Sequence, residues 1–382
     1  MAASDDAPFL LACRRRPAPH VPVWFMRQAG RSLPEYRALR RSGSILDTIR
    51  EPELAAEITL QPVRRYGVDA AILYSDIVVP VHGVGFGVDV VPGVGPVVGE
   101  PFRGKEDLAR LRPLEPEEDI PYVVETVGIL ASELEVPLIG FAGAPFTVAS
   151  YLIEGRPSRT YARTKALMHG EPETWAALLD ALADLALSSL RSQVGAGAQA
   201  VQLFDSWAGA LSPVEYAELV LPATRRIFDG LADLGVPRLH FGVGTGELLS
   251  LMADAGADVV GVDWRVPLDV AWHRVGHDKA VQGNLDPAIC LAPSDVVDAE
   301  VAKVLGRAGG RPGHVFNLGH GVLPDTDPAV LQRVVDLVHG ESSTAPEPQA
   351  GPRPRPSPSS SAPPGPRPRL LDEAGPRPRP SP

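Results

Sequence analysis

Residues 237–286 read PRLHFGVGTGELLSLMADAGADVVGVDWRVPLDVAWHRVGHDKAVQGNLD, and the alternation inside this stretch decides the fold. Three short apolar runs, 237–241, 259–262 and 279–282, each end in a polar or glycine-rich motif. Those motifs are Gly242-Val243-Gly244-Thr245-Gly246, Asp263-Trp264-Arg265 and Gly283-Asn284-Leu285-Asp286. Runs that are apolar throughout suit strands buried on both faces, and helical patterns lie between such runs. The same unit recurs upstream and downstream, at 21–26, 70–74, 136–141, 198–204 and 314–318. These runs end in Arg27-Gln28-Ala29-Gly30-Arg31, Ser75-Asp76, Gly143-Ala144-Pro145, Asp205-Ser206-Trp207 and Gly319-His320-Gly321. Helices are expected over 51–66 (with a kink at Pro62), 172–193, 213–234, 294–306 and 328–338. Ser212 before Pro213 and Asp327 before Pro328 are N-cap signals. Residues 88–99, with Pro92 and Gly93 at the centre, suggest a short hairpin.

About eight strands with helical connections over ~330 residues fit a single α/β (β/α)8 TIM-type barrel with insertions. By spacing alone a doubly wound sheet is the alternative. The polar residues favour the barrel. Turn chemistry explains each strand-end glycine singly, but not why charged and hydrogen-bonding side chains recur at the same end of successive strands. In a barrel those ends converge on one mouth, where such enzymes place their chemistry.

The 382 residues are 44% hydrophobic and 22% charged, with a formal net charge of −11. That apolar share supports a full core and excludes a wholly disordered chain. The acidic balance argues against a nucleic-acid partner and against docking on anionic membranes. Two cysteines, Cys13 and Cys290, exclude a disulfide scaffold and leave no CxxC motif. The apolar run 8–13 is too short for a signal sequence, and no stretch reaches the ~18 apolar residues of a membrane span. A cytoplasmic protein is expected. Of the 41 prolines, 14 fall in 341–382, where GPRPRPSP occurs at 351–358 and again at 375–382. The expected organisation is therefore a barrel over 1–340 and a disordered Pro/Arg/Ser-rich tail over 341–382.

No HExxH or HxxEH motif occurs, and no cysteine neighbours His240 or His320 in sequence, so no metal is expected in the site. The GxGxG run at 242–246 is one residue short of the dinucleotide fingerprint, and Ser206 lacks a nucleophile elbow. The N-terminal loop is more informative. Six arginines lie between Arg27 and Arg50 against Glu35 and Asp47, a local +4 in an acidic chain. Arg37, Arg40 and Arg41 look like a solvated helix face. Arg27 and Arg31 flank Gln28-Ala29-Gly30 in a loop leaving an apolar strand, which makes a cradle for an anionic, polycarboxylate ligand.

Several of these motifs together resemble the uroporphyrinogen decarboxylase family. They are Phe25-Met26-Arg27-Gln28-Ala29-Gly30-Arg31 with Leu33-Pro34-Glu35-Tyr36-Arg37, Tyr74-Ser75-Asp76-Ile77, Phe141-Ala142-Gly143-Ala144-Pro145-Phe146-Thr147, Gln202-Leu203-Phe204-Asp205-Ser206, and Phe316-Asn317-Leu318-Gly319-His320-Gly321-Val322. The resemblance runs from about residue 8 to 340. It implies a distorted (β/α)8 barrel, a homodimer, and conversion of the four acetate side chains of uroporphyrinogen III to methyls, giving coproporphyrinogen III without any cofactor. It also implies a set of site residues. Asp76 faces the pyrrole N–H groups, Arg27 and Arg31 bind substrate carboxylates, with Arg27 also near the proton-delivery path, and Tyr151 donates a hydrogen bond near the reacting acetate. Ser206 and His320 contact substrate and Phe204 supplies an apolar wall, with Gln28, Ala29 and Gly30 lining the loop. The flanking Gly319 and Gly321 are expected to leave His320 room for a bulky ligand. Ser32 stands where the family commonly has an aromatic residue. The competing class is a zinc-dependent methyltransferase of the same superfamily, which needs a thiolate near the His240 strand. A noncatalytic scaffold for the proline tail leaves the strand-end polar set unexplained.

Overall fold

The computed structural model describes residues 4–39 and 43–343, the last three by backbone only. The expected disordered tail lies outside the described residues, except that 341–343 continue the final helix, Pro328–Ser343. Seven parallel strands form a curled sheet in the order β1 (Ala71–Ile72), β4 (Leu138–Gly143), β5 (Ala200–Asp205), β6 (Arg238–Gly242), β7 (Val259–Gly261), β8 (Ala280–Gln282) and β9 (His314–Val315). Between β1 and β4 the chain makes the anticipated hairpin, β2 (Val88–Val91) against β3 (Gly95–Val98), with Val88 opposite Val98.

The first expected strand closes the ring, though only as a single bridge. Val23 pairs in parallel with Phe316 on one side, and its carbonyl accepts the Asp69 N–H at 2.9 Å on the other. Side chains inside the ring confirm the closure. Trp24 Nε1 donates to Gln282 Oε1 at 2.9 Å, and Gln282 Nε2 donates to Gln202 Oε1 at 3.0 Å. Three separate strand segments thus meet in a buried interior, as barrel layers do. The apolar run near the start is a buried helix, Pro8–Cys13, packed against β8 and β9.

The helices form where expected, with one exception. The single helix anticipated over 213–234 is three pieces: Pro213–Leu219, Leu221–Asp229 and a 3-10 turn Ala232–Leu234. Pro222 explains the first break, because it offers no N–H to the preceding turn and disfavours helical geometry just before it. The helix Pro52–Tyr66 runs through Pro62 as one element. Ser212 caps its helix in a full capping box with Glu215, and Asp327 Oδ1 accepts the Ala329 N–H at 2.9 Å.

His314 on β9 makes stability depend on pH. Its Nε2 carries the proton to the Gly283 carbonyl at 2.8 Å, while Nδ1 is buried without a partner among the described residues. Burial pushes its pKa from 6.5 down to about 4. The unfolded chain therefore takes a proton, below pH ~6.5, that the folded chain refuses until about pH 4. This contribution is fully present above that upper limit, and roughly 2 kcal/mol of it is lost by about pH 5. Urea-unfolding midpoints should fall from pH 7 to pH 5, and the fall should be smaller in His314→Leu.

Candidate active site

The carboxyl ends of the strands assemble one mouth, and Arg27 enters it from the first segment. Arg27 is a non-glycine residue in left-handed backbone, φ 59°. Such a conformation costs on the order of 1 kcal/mol and persists where the surroundings impose it, as they do at functional loops. What imposes it lies beneath. Gln28 is wholly buried, accepting the Phe25 N–H at 3.1 Å and donating to the Ala70 carbonyl at 3.1 Å. The Gln28 side chain therefore ties the loop to β1 and points away from the mouth, while Ala29 and Gly30 are partly exposed. Arg37 is not merely a solvated helix residue. Its Nη1 donates to the carbonyls of Arg31 and Ser32 at 2.8 and 3.1 Å, holding the loop from outside. Arg40 and Arg41 lie outside the described residues. Ser32 is buried and its hydroxyl has no partner among the described residues, and Tyr36 and Tyr74 join hydroxyls at 3.0 Å.

Arg27 and Arg31 are exposed, and among the described residues neither makes an ion pair. Asp76 follows β1 and is half-buried, its Oδ1 accepting the Val78 N–H at 3.1 Å. Burial raises its pKa above the ordinary carboxyl value, outweighing the Val78 and Ile77 N–H groups and the Arg27 charge. Tyr151 lies on the helix Pro145–Glu154 that follows β4. Burial and the Asp76 charge push its phenol up, so it stays a protonated donor. Its ring stacks on Trp207, centroids 3.8 Å apart. Phe204, at the end of β5, packs edge-on to Phe141 at 5.3 Å and to Phe241 at 6.0 Å, an apolar wall below the polar rim. Ser206 is partly exposed beside it.

His320 completes the ring. Its Nδ1 accepts the Gly321 N–H at 2.6 Å, which leaves the proton on Nε2. Burial, then Arg27 and Arg265, lower its pKa to about 4, so it is neutral at pH 7 and acts as a donor, not a cation. The two flanking glycines make room for the protein and not for a ligand, contrary to expectation. A Cβ on Gly319 would collide with the Trp264 backbone, and one on Gly321 would sit 2.5 Å from Arg27 Cδ. The stem of Arg27 thus lies on Gly321, which brings the first and last strand ends together.

Two further groups at the mouth are more than motif members. Asp263 is buried and accepts the Gly244 N–H, so the GxGxG loop spends that amide on a carboxylate. Asp263 also holds Arg265, whose guanidinium stands 4.0 Å over the Trp264 ring. Arg265 is half-exposed and acts on His320, a second fixed cation at the rim. The signal was its place in a strand-end motif, but only the fold aims it. Asp205 is buried and accepts the Thr147 hydroxyl at 2.8 Å, while Thr147 accepts the Trp207 N–H at 3.2 Å. This pair positions the loop that carries Ser206.

The methyltransferase alternative fails on its ligands. His240 is wholly buried and faces the helices behind the sheet, packed on Phe228 and 3.5 Å from the Met252 carbonyl. Its Nε2 lies 3.7 Å from Asp205 Oδ2, and neither atom has a hydrogen-bond partner among the described residues. Both cysteines are buried, and burial pushes the Cys290 thiol up to about 12 and Cys13 higher still. Among the described residues, no cysteine joins a cluster of potential metal ligands.

Known proteins place the chain. Solved structures share the architecture at low identity. A methyltransferase from Methanosarcina mazei superposes with a TM-score of 0.69 at 19% identity, covering 89% of this chain and 99% of that one. A B12-independent methionine synthase from Shewanella does so at 0.53 and 14%, covering 76% and 88%. These show the fold alone. Uroporphyrinogen decarboxylase of Salinispora tropica is 63% identical over 335 residues, 87% of this chain and 90% of that protein. The enzyme of the same name from Streptomyces coelicolor is 61% identical over 342 residues, 89% and 96%. The sequence model of uroporphyrinogen decarboxylase (URO-D) matches residues 4–341. With the Arg27 loop, Asp76 and the His320 turn gathered at one barrel mouth, the chain belongs to the uroporphyrinogen decarboxylase family.

Proposed function

We propose that the mouth is where this chain carries out the family's reaction, and that Asp76 is its central group. Uroporphyrinogen III loses the carboxyls of its four acetates as CO2, each replaced by one proton, and becomes coproporphyrinogen III. Each cleavage leaves an electron pair that needs a sink. Protonating the pyrrole beside the acetate makes an iminium-like ring, which accepts that pair when the C–C bond breaks. The resulting enamine takes a proton on its exocyclic carbon, and the ring proton leaves as the pyrrole reforms. The substrate is its own sink, so the chemistry asks the protein for an anion and for proton delivery rather than for a cofactor.

The observation that carries this reading is the under-solvated carboxyl of Asp76 beside Arg27, which has no ion-pair partner among the described residues. Burial raises its pKa, so ligand N–H groups are worth more to it than to a solvated carboxylate. Pyrrole N–H donors and a developing ring cation supply what its surroundings lack. Arg27, Arg31 and the braced Arg265 suit the substrate's carboxylates. Neutral His320 and protonated Tyr151 donate hydrogen bonds, and Ser206 adds a polar contact above the Phe204 wall. The rim exposes Arg27, Arg31 and Arg265 within a chain of net −11, so the local sign and not the total selects an anionic ligand.

A homodimer and a cytoplasmic setting belong to this reading and rest on the family resemblance. Among the described residues no helix is long and apolar enough to cross a membrane. Anaerobic incubation of the full chain with uroporphyrinogen III, followed by chromatographic counting of carboxyls, tests the assignment. A product with four carboxyls is expected, and an unchanged substrate in the presence of folded protein would overturn it.

A further inference from the structure

On the barrel face opposite the mouth, three residues far apart in sequence converge. His20 precedes the segment that pairs through Val23, Asp69 precedes β1, and His339 lies on the last helix, Pro328–Ser343. His20 Nε2 stands 2.7 Å from Asp69 Oδ1, and His339 Nε2 stands 2.8 Å from Asp69 Oδ2. One potential ligand atom from each residue falls in a group whose members all lie within 4.8 Å of one another. Asp69 is buried, whereas both imidazoles are partly exposed, so solvent reaches the group from one side.

We propose that His20, Asp69 and His339 form a binding site for a divalent first-row transition ion of the zinc type. Two imidazole nitrogens and one carboxylate oxygen are a donor set for borderline cations, and the nitrogens disfavour calcium and magnesium. Each ligand bond would be about 2.0–2.2 Å, which sets tetrahedral ligand atoms roughly 3.3 Å apart. The present spacings are those of N–H···O hydrogen bonds. The ion therefore enters as each neutral imidazole loses its Nε2 proton to water and takes one on Nδ1, with the rings spreading by about half an ångström. With both imidazoles neutral and protonated on Nδ1, their Nε2 lone pairs face Asp69, and water fills the fourth position on the open side.

The location gives the ion a mechanical role. Val23 and Asp69 are linked in both directions, Asp69 N–H to the Val23 carbonyl and Val23 N–H to Asp69 Oδ2 at 2.8 Å. Here the barrel closes through one bridge rather than a strand ladder. An ion on the triad fastens that seam to the final helix, away from the decarboxylation mouth.

The test uses the full chain, stripped with chelator and titrated with zinc chloride by calorimetry. One equivalent of zinc is expected, bound more tightly as pH rises because the ion competes with protons. His339→Gln retains an amide donor for Asp69, so it keeps the fold and the decarboxylase rate but binds zinc at least tenfold more weakly. His20→Gln is expected to do the same and keeps the test open if the first variant fails to fold. Zinc should raise the thermal midpoint of the wild type and raise that of either variant by less. Failure of the wild type to take up one equivalent would overturn the site. So would zinc affinity in a folded variant equal to that of the wild type.

Discussion

Asp76→Asn should lower kcat with uroporphyrinogen III by about 10³-fold, the scale of losing a pre-placed electrostatic group in a partly dry site. Asparagine matches aspartate in shape and keeps an oxygen for the Val78 N–H, so the turn after β1 survives. Only the charge goes. Without it the cationic ring formed on protonation loses its counter-charge, and kcat falls more than KM rises. Stability moves the other way. Burial raises the Asp76 pKa, which means the ionised form is penalised in the folded chain. Removing that carboxylate should leave the thermal midpoint unchanged or higher at neutral pH. Steady-state kinetics and a melting curve on the same preparation separate lost chemistry from lost fold. Near-wild-type kcat would remove Asp76 from the mechanism.

Arg27→Ala should lower kcat/KM by roughly 10- to 150-fold, the range for one charge-assisted hydrogen bond of about 1.5–3 kcal/mol. A second readout reports on its neighbours. The Arg27 charge lowers the pKa of Asp76 and of His320, so its removal raises both. With ionised Asp76 and neutral His320 as the working forms, the acid limb of the pH–rate profile moves to higher pH. Arg27→Lys retains the charge but not the planar fork. It should keep the pH profile and lose part of the affinity. An alanine variant with unchanged kcat/KM and unchanged profile would contradict both roles.

The barrel was legible because strands buried on both faces are written as short runs apolar throughout. Residues 198–204 and 259–262 carry no competing periodicity. The mouth was legible for a related reason, since polar groups recurred after those runs. Where the reading failed, a tertiary contact had changed the meaning of a residue. Pro222 breaks a pattern whose amphipathic period continues across it, giving Pro213–Leu219 and Leu221–Asp229. Gln28 sits among exposed loop residues in sequence, yet its amide is spent on Phe25 and Ala70 beneath. Gly319 and Gly321 read as space for a ligand, but Trp264 and Arg27, distant in sequence, occupy that space. Arg265 gains its setting only from Asp263 and Trp264 folded at the rim. His20, Asp69 and His339 carry no local spacing signal at all, because 49 and 270 residues separate Asp69 from its two partners.

The central claim is that the pyrrole nitrogens of the macrocycle gather on Asp76. A crystal structure of the full chain grown anaerobically with coproporphyrinogen III tests it most directly. The predicted result places the macrocycle in the mouth, with the Asp76 carboxylate within about 3 Å of at least two pyrrole nitrogens. The side-chain carboxylates of that product should reach Arg27, Arg31 or Arg265. A macrocycle bound with Asp76 beyond hydrogen-bond reach of every pyrrole nitrogen would contradict the account.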